Sequence, residues 1–228
     1  MPAITGTNLT QGSGGAGTSW TTASITPTAN NLVLVSIETA SGTPGKITSI
    51  TGCGLTWVEV GNHQSATSTG EWLTVYRGMG ASPTTGVLTL NSSATVTPEW
   101  SVDQFANVNQ SGTNGSGAIV QIVFNDANGT QTGITATLAA LANANNAAFG
   151  FVEWGGGTTV TKGGSFTLLA AQQGSQFGYK NSEYAINQTA VNWTWGSGSN
   201  WSQAVAIEIA AVPSGKTSGT LSMMGVGM

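Results

Sequence analysis

The sequence has very few charged side chains. Lys, Arg, Asp and Glu make up 6% of its 228 residues, against roughly 25% in ordinary globular domains. A surface with so little charge has weak electrostatic protection against self-association, and it suits a protein that packs against copies of itself. The basic residues are scattered and form no patch, so nucleic-acid binding is not expected. They are Lys46, Arg77, Lys162, Lys180 and Lys216.

The sequence also lacks the usual features of exported and membrane-spanning chains. A single cysteine, Cys53, allows no disulfide within the chain. No apolar run reaches the roughly 18 residues of a membrane span. Residues 1–6 have neither the basic nor the apolar region of a signal peptide. We therefore expect the chain to be made in a cytoplasm and to owe its stability to burial, hydrogen bonds and assembly.

Residues for common catalytic and metal sites are scarce. His63 is the only histidine, and its polar neighbours predict a surface loop, so neither a Ser-His-Asp triad nor a His/Cys metal site is expected. Several acids flank tryptophans, but the sequence pairs no two of them across a cleft as a glycosidase requires. We expect no enzyme activity and no cofactor. The acids concerned are Glu71, Glu99, Asp103 and Glu153.

One segment, residues 125–130, resembles the start of a calcium loop. Thr137 stands where such a loop would close with a glutamate. The Asn128-Gly129 dipeptide instead favours a tight hairpin turn, which we take as the better interpretation.

The sequence does contain many short apolar and β-branched segments separated by Gly-rich turns. Residues 31–38 form a short, continuous and largely β-branched apolar segment, and residues 203–209 are interpreted as a strand with a period of two. An Ala/Asn-rich stretch at 138–148 lacks helix caps and predicts a turn. The pattern predicts an all-β fold of about ten to thirteen strands, an antiparallel β-sandwich and most readily a jelly roll. Immunoglobulin-like and lectin-like sandwiches remain open.

The two ends of the chain differ from the middle. Residues 1–19 are rich in Gly, Ser and Thr and predict a flexible N-terminal arm, followed by the sandwich domain at 20–213. Residues 214–228 are Gly/Ser-rich and then apolar, which predicts a tail that docks on a neighbouring subunit. The alternatives are a tail folded on its own domain and a disordered tail. The expected interface residues are Leu221, Met223, Met224 and Val226.

The strongest aromatic cluster lies near the end of the domain. Trp193 and Trp195 fall on one face of a strand, and Trp201 follows shortly after. If exposed, these rings could bind a glycan by stacking. If buried, they belong to the core or to a subunit interface, which is the more common role of such tryptophans.

Five segments together resemble a known type of protein. They are CGLTW at 53–57, WLTVYR at 72–77, VDQFANV at 102–108, and the segments 192–201 and 204–209. The set is similar to the jelly-roll-like structural proteins of tailed bacteriophages, particularly head decoration (cement) proteins and small appendage or fibre proteins. The chain lacks the heptad or collagen-like stalk of long fibres.

The resemblance implies a virion structural protein that stabilises the phage head through contacts between subunits. Its partners would be the major capsid protein or other virion proteins, and itself as a homo-oligomer such as a trimer. No catalytic residues come with it. The alternative is a carbohydrate- or receptor-binding module of a phage fibre, which would use the three tryptophans.

Overall fold

The computed structural model describes residues 2–40, 44–66, 70–156, 158–173, 179–199 and 201–213. These residues form antiparallel β-sheets that pack on one another, which confirms the predicted all-β sandwich. No helix among them is long and apolar enough to cross a membrane. The apolar tail residues Leu221, Met223, Met224 and Val226 lie outside the described residues.

The first half of the chain forms seven strands: β1 (Thr5–Ser13), β2 (Gly17–Thr21), β3 (Leu32–Ala40), β4 (Ile47–Gly52), β5 (Val58–Gln64), β6 (Trp72–Gly78) and β7 (Leu88–Ala106). The second half begins with a 3-10 turn at Ser116–Ala118 and forms eight: β8 (Ile119–Ala127), β9 (Thr130–Thr137), β10 (Ala147–Trp154), β11 (Thr161–Lys162), β12 (Thr167–Gln173), β13 (Tyr179–Ile186), β14 (Ala190–Ser199) and β15 (Ser202–Ile209).

Two central sheets face each other, and each is covered on its outer side. The first central sheet has the order β1-β7-β3-β6-β5, and the second has the order β12-β13-β10-β15-β8. The early part of β7 pairs with β2 and β4 to form one cover, and β11-β14-β9 forms the other. One core fills the space between the central sheets, and two further cores lie beneath the covers.

The two halves of the chain repeat the same strand order. Read from β1 and from β8, the central sheets run β1-β7-β3-β6-β5 and β8-β15-β10-β13-β12, and β14 and β15 together take the place of the long β7. The edges meet reciprocally, because β1 contacts β12 and β5 contacts β8. Such reciprocal contacts are what a two-fold relation between the halves produces. The jelly-roll connection predicted with the sandwich is not confirmed.

The sequence pattern explains the central strands. Every residue of β3 and β15 is buried, because both strands lie in the middle of a sheet that is covered on both faces. The predicted hairpin at Asn128-Gly129 joins β8 to β9, with Gly129 at a φ of 89° that favours glycine. The Ala/Asn-rich stretch after β9 forms no helix, as predicted.

The N-terminal segment corrects the prediction of a flexible arm. Its residues form β1 and β2, which pair with the two parts of β7. The glycines that suggested flexibility are there for close packing. A Cβ at Gly6 would stand 2.9 Å from the Phe105 ring, and one at Gly12 would stand 2.7 Å from the Trp100 ring. Because these strands pair with β7 through their main chains, they need no apolar pattern, and the sequence pattern did not predict them.

Candidate functional site

The charged residues of this protein lie mostly inside it. Of the 14 Lys, Arg, Asp and Glu residues in the sequence, eight are buried. Among the described residues none of the others is fully exposed. The buried ones are Glu38, Glu71, Glu99, Asp103, Glu153, Lys180, Glu183 and Glu208; the partly buried ones are Lys46, Glu59, Arg77, Asp126 and Lys162.

Five polar side chains form a layer at one end of the space between the central sheets, and we call them the acid layer. Glu38 and Glu99 are opposite each other on β3 and β7. Glu153 on β10 lies between Lys180 on β13 and Gln203 on β15. Because side chains alternate along a strand, all five share the face that carries the central core. Each is at most 1% exposed.

The acid layer holds one cation. Nζ of Lys180 lies 3.7 Å from Oε2 of Glu99 and also donates a hydrogen bond to the main-chain oxygen of Gly12. Burial is the main cause that lowers the pKa of Lys180. Burial, followed by repulsion from neighbouring acids, raises the pKa of Glu38 and of Glu153 well above the usual range.

Several atoms of the acid layer are unsatisfied. Within the described residues, the carboxyl oxygens of Glu38 and Glu153 and the side-chain amide of Gln203 have no hydrogen-bond partner. Buried polar groups without partners are rare in folded proteins and call for an explanation. Glu71, which is 7% exposed, adds a further charge that raises the pKa of Glu38.

A second polar layer follows directly, and a hydrogen-bond network centred on Asp103 joins most of its side chains. Asp103 accepts hydrogen bonds from Asn8 Nδ2 at 2.9 Å and from Ser101 Oγ at 2.8 Å. Ser101 in turn lies 3.2 Å from Ser182 on the facing sheet. Burial raises the pKa of Asp103 to about 6, and these hydrogen bonds oppose that rise. This network ties β1, β7 and β13 together beside the acid layer.

The three candidate glycan-binding tryptophans do not form an exposed platform. Trp193 is 1% exposed and Trp195 is 6% exposed, and both belong to the core beneath the β11-β14-β9 cover. Trp195 stacks on Trp154 with ring centroids 4.9 Å apart and donates to the oxygen of Gln131 at 3.1 Å. Trp201, between β14 and β15, is partly exposed. The expectation that Trp193 and Trp195 share a face is correct, and that face points inward.

The lone histidine lies in a strand rather than in a loop. His63 on β5 stacks on Phe124, and its Nε2 lies 2.9 Å from Oδ1 of Asp126. Asp126 also accepts hydrogen bonds from the hydroxyl of Ser65 and the main-chain N–H of Ala66. Asp126, which lies in the segment that resembles a calcium loop, therefore links the edges of the two central sheets.

The part of the chain that the structure describes has no ligand-sized cavity. It also has no group of three or more His, Cys, Asp or Glu side chains arranged to hold a metal ion. Comparisons with protein families, with curated proteins and with solved structures find no match for this chain.

Sequence reasoning noted Glu71, Glu99 and Glu153 but did not bring them together, and it missed Glu38 and Lys180. One signal was present. The pair Asn30-Asn31 precedes an apolar run that ends in Glu38, and Asn145-Asn146 precedes another that ends in Glu153 at the same spacing. This repeat marks the same place in the two halves.

Proposed function

We propose that this protein is a structural subunit of a virus particle, in the manner of a capsid decoration protein that reinforces the head of a tailed phage. The observation that carries the proposal is the surface: in the described parts of the chain, no charged side chain is fully exposed. A soluble monomer normally keeps its charges outside. A surface with so little charge suits a protein held against many neighbours.

The architecture supports the same role. Each central sheet is packed on both faces, so three cores hold the layers of the domain together. A reinforcing subunit acts by adding contacts that must break before a shell opens, and many weak contacts together give a strong effect. Its partners would be a major capsid protein and copies of itself, and its place would be the virion.

The alternative function, a carbohydrate- or receptor-binding module of a fibre, has less support. It depends on exposed aromatic rings, and Trp193 and Trp195 are buried. Only Trp201 of the three remains partly exposed. A single ring without a cleft offers little for a sugar to bind.

Sedimentation of the purified chain, with and without empty capsids of a virus that encodes it, tests the proposal. We expect a defined homo-oligomer, capsid binding, or both, and we expect these to persist at high salt because contacts between surfaces with little charge are screened only weakly. A chain that ends at Pro213 shows whether the tail or the sandwich surface makes the contact. A monomer at every concentration that does not bind capsids would overturn the proposal.

A further inference from the structure

Lys180 and Glu99 are placed as reactants. Their side chains are 2% and 0% exposed, and Nζ lies 3.7 Å from Oε2 across the space between the two central sheets. The two residues come from different halves of the chain, on β13 and β7. Among the described carboxylates, that of Glu99 forms the one ion pair with Lys180 within 4.0 Å.

The surroundings of this pair favour its neutral form. Two ions in a buried layer carry a large desolvation penalty, whereas an amide made from the same atoms carries no charge. Burial lowers the pKa of Lys180, which favours the uncharged and nucleophilic amine. Water, which would reverse the condensation, is excluded from side chains that are almost wholly buried.

We propose that Lys180 and Glu99 condense spontaneously in the folded protein to form an isopeptide bond between the two central sheets. One proton first moves from Nζ to the Glu99 carboxylate, which gives an amine and a carboxylic acid. Nζ then attacks Cδ of Glu99, the bond from Cδ to the hydroxyl oxygen breaks, and Nζ loses one proton. One water molecule leaves, so no oxidant or cofactor is required.

A neighbouring acid supplies the proton transfer. Glu153 lies directly opposite Lys180 on the adjacent strand, and Glu38 lies directly opposite Glu99. Partners at such positions have Cβ atoms about 5 Å apart. Protonated Glu153 gives its proton to the departing hydroxyl and receives one from Nζ, so it ends unchanged.

The product would also give a hydrogen-bond partner to one of the unsatisfied acids of the acid layer. The remaining N–H of the amide keeps the oxygen of Gly12 as its acceptor, as Lys180 does now. The new carbonyl oxygen can accept a hydrogen bond from protonated Glu153 or Glu38, which have no hydrogen-bond partner among the described residues. The bond is a property of the single chain and goes beyond its proposed role in a particle.

The mass of the intact, denatured protein tests the proposal directly. We expect a mass lower than that of the sequence by one water molecule, after allowance for removal of Met1. Trypsin cannot cut after an acylated lysine, so the peptide 163–216 should stay joined to the peptide 78–162, which contains Glu99. The full sequence mass after long incubation of the folded protein would overturn the proposal, whatever its assembly state.

Three variants identify the atoms involved. Glu99→Ala should abolish the mass loss, whereas Glu99→Gln should form the same amide with loss of ammonia instead of water. Glu153→Gln should slow bond formation, and an unchanged rate would overturn its role as proton carrier. Glu183→Gln is the matched control, because Glu183 is buried on the opposite face of β13. If a variant fails to fold, the wild-type mass still decides.

Discussion

The two halves of the molecule share one strand order but fill their outer cores in opposite ways. In the first half the central sheet supplies bulky side chains such as Val35 and Ile37, which meet aliphatic residues of β4 and β7 and the Trp20 ring of β2. In the second half the central sheet offers small residues such as Ala204, and the β11-β14-β9 cover supplies Trp193 and Trp195. The bulky side chains of the two outer cores therefore come from different layers.

One pair of equivalent positions shows this exchange. Val35 lies opposite Val102 and Tyr76 in the first central sheet, and Gly150 lies opposite Ala206 and Glu183 in the second. A Cβ at Gly150 would stand 2.3 Å from a methyl group of Val191 and 2.7 Å from the Trp193 ring. The absence of a side chain at Gly150 therefore leaves room for Val191 and Trp193 of the outer strand β14.

The acid layer shows the opposite relation, since the halves cooperate there. Glu38 and Glu99 of the first half correspond to Glu153 and Gln203 of the second. The position equivalent to Lys180 is Leu73 in the first half. The layer thus holds a single amine, and only one of the two equivalent places can form a cross-link.

Replacing the aromatic centre of the second half should have the largest effect. Trp193→Ala removes a side chain that is 1% exposed and whose ring packs directly against Gly150 of the central sheet. We expect a loss of about 3–5 kcal/mol in the free energy of unfolding, measured by urea denaturation. A loss below about 1 kcal/mol would mean that the outer strands collapse onto the central sheet without the ring.

Making the second half resemble the first at one position should be nearly as damaging. Gly150→Val introduces a valine, as the equivalent position 35 has, into space that Val191 occupies. We expect a loss of about 3 kcal/mol in the free energy of unfolding. Gly86→Ala is the control, since a Cβ there meets nothing within 4 Å. The double variant with Val191→Ala should recover part of the loss if the clash is its cause. Additive losses would contradict this explanation.

The sequence alone predicted the parts of the fold that depend on local pattern. The mostly apolar segments at 31–38 and 203–209 correspond to β3 and β15, because a strand buried on both faces must carry apolar residues along most of its length. β1 was missed because an edge strand can pair through its main chain alone. The acid layer was missed because strands distant in sequence bring its members together, and no local pattern records that register.

The sequence also could not decide which way the tryptophans point. A period of two places Trp193 and Trp195 on one face, but the choice between core and surface depends on the small residues of β10 and β15 that face them. Those residues lie in other segments of the chain.

Alkaline pH should weaken the protein through an acid that only the second half contains. Glu183 occupies the place of Tyr76 in the first half, and burial is the main cause that raises its pKa from 4.5 to about 8, against the opposing effects of the Gly163 N–H and of Lys162. Between pH 4.5 and pH 8 the folded state therefore binds more protons at Glu183 than the unfolded state does. The stabilisation that protonated Glu183 contributes is fully present below pH 4.5 and is lost as the pH rises through 8.

Glu183→Gln should remove this part of the pH dependence. We expect the difference in unfolding free energy between pH 5 and pH 9 to shrink by on the order of 2 kcal/mol, measured by denaturation at each pH. The raised pKa values of Glu38 and Glu153 act in the same direction, so some slope should remain. An unchanged slope would show that Glu183 is ionised in the folded protein.

The smallest effect on folding should come from a new charge at the edge of the second half. Val120 is 44% exposed, and it is the extra residue at an irregularity where β8 pairs with β15. Val120→Lys should therefore change the free energy of unfolding by no more than about 0.5 kcal/mol. Its effect on self-association should be larger, because it removes apolar surface and also adds a charge. Thr7→Lys on β1, the matching edge of the first half, adds only the charge. Sedimentation should show weaker association for Val120→Lys than for Thr7→Lys, and equal behaviour would mean that the two edges do not differ in how they meet a neighbour.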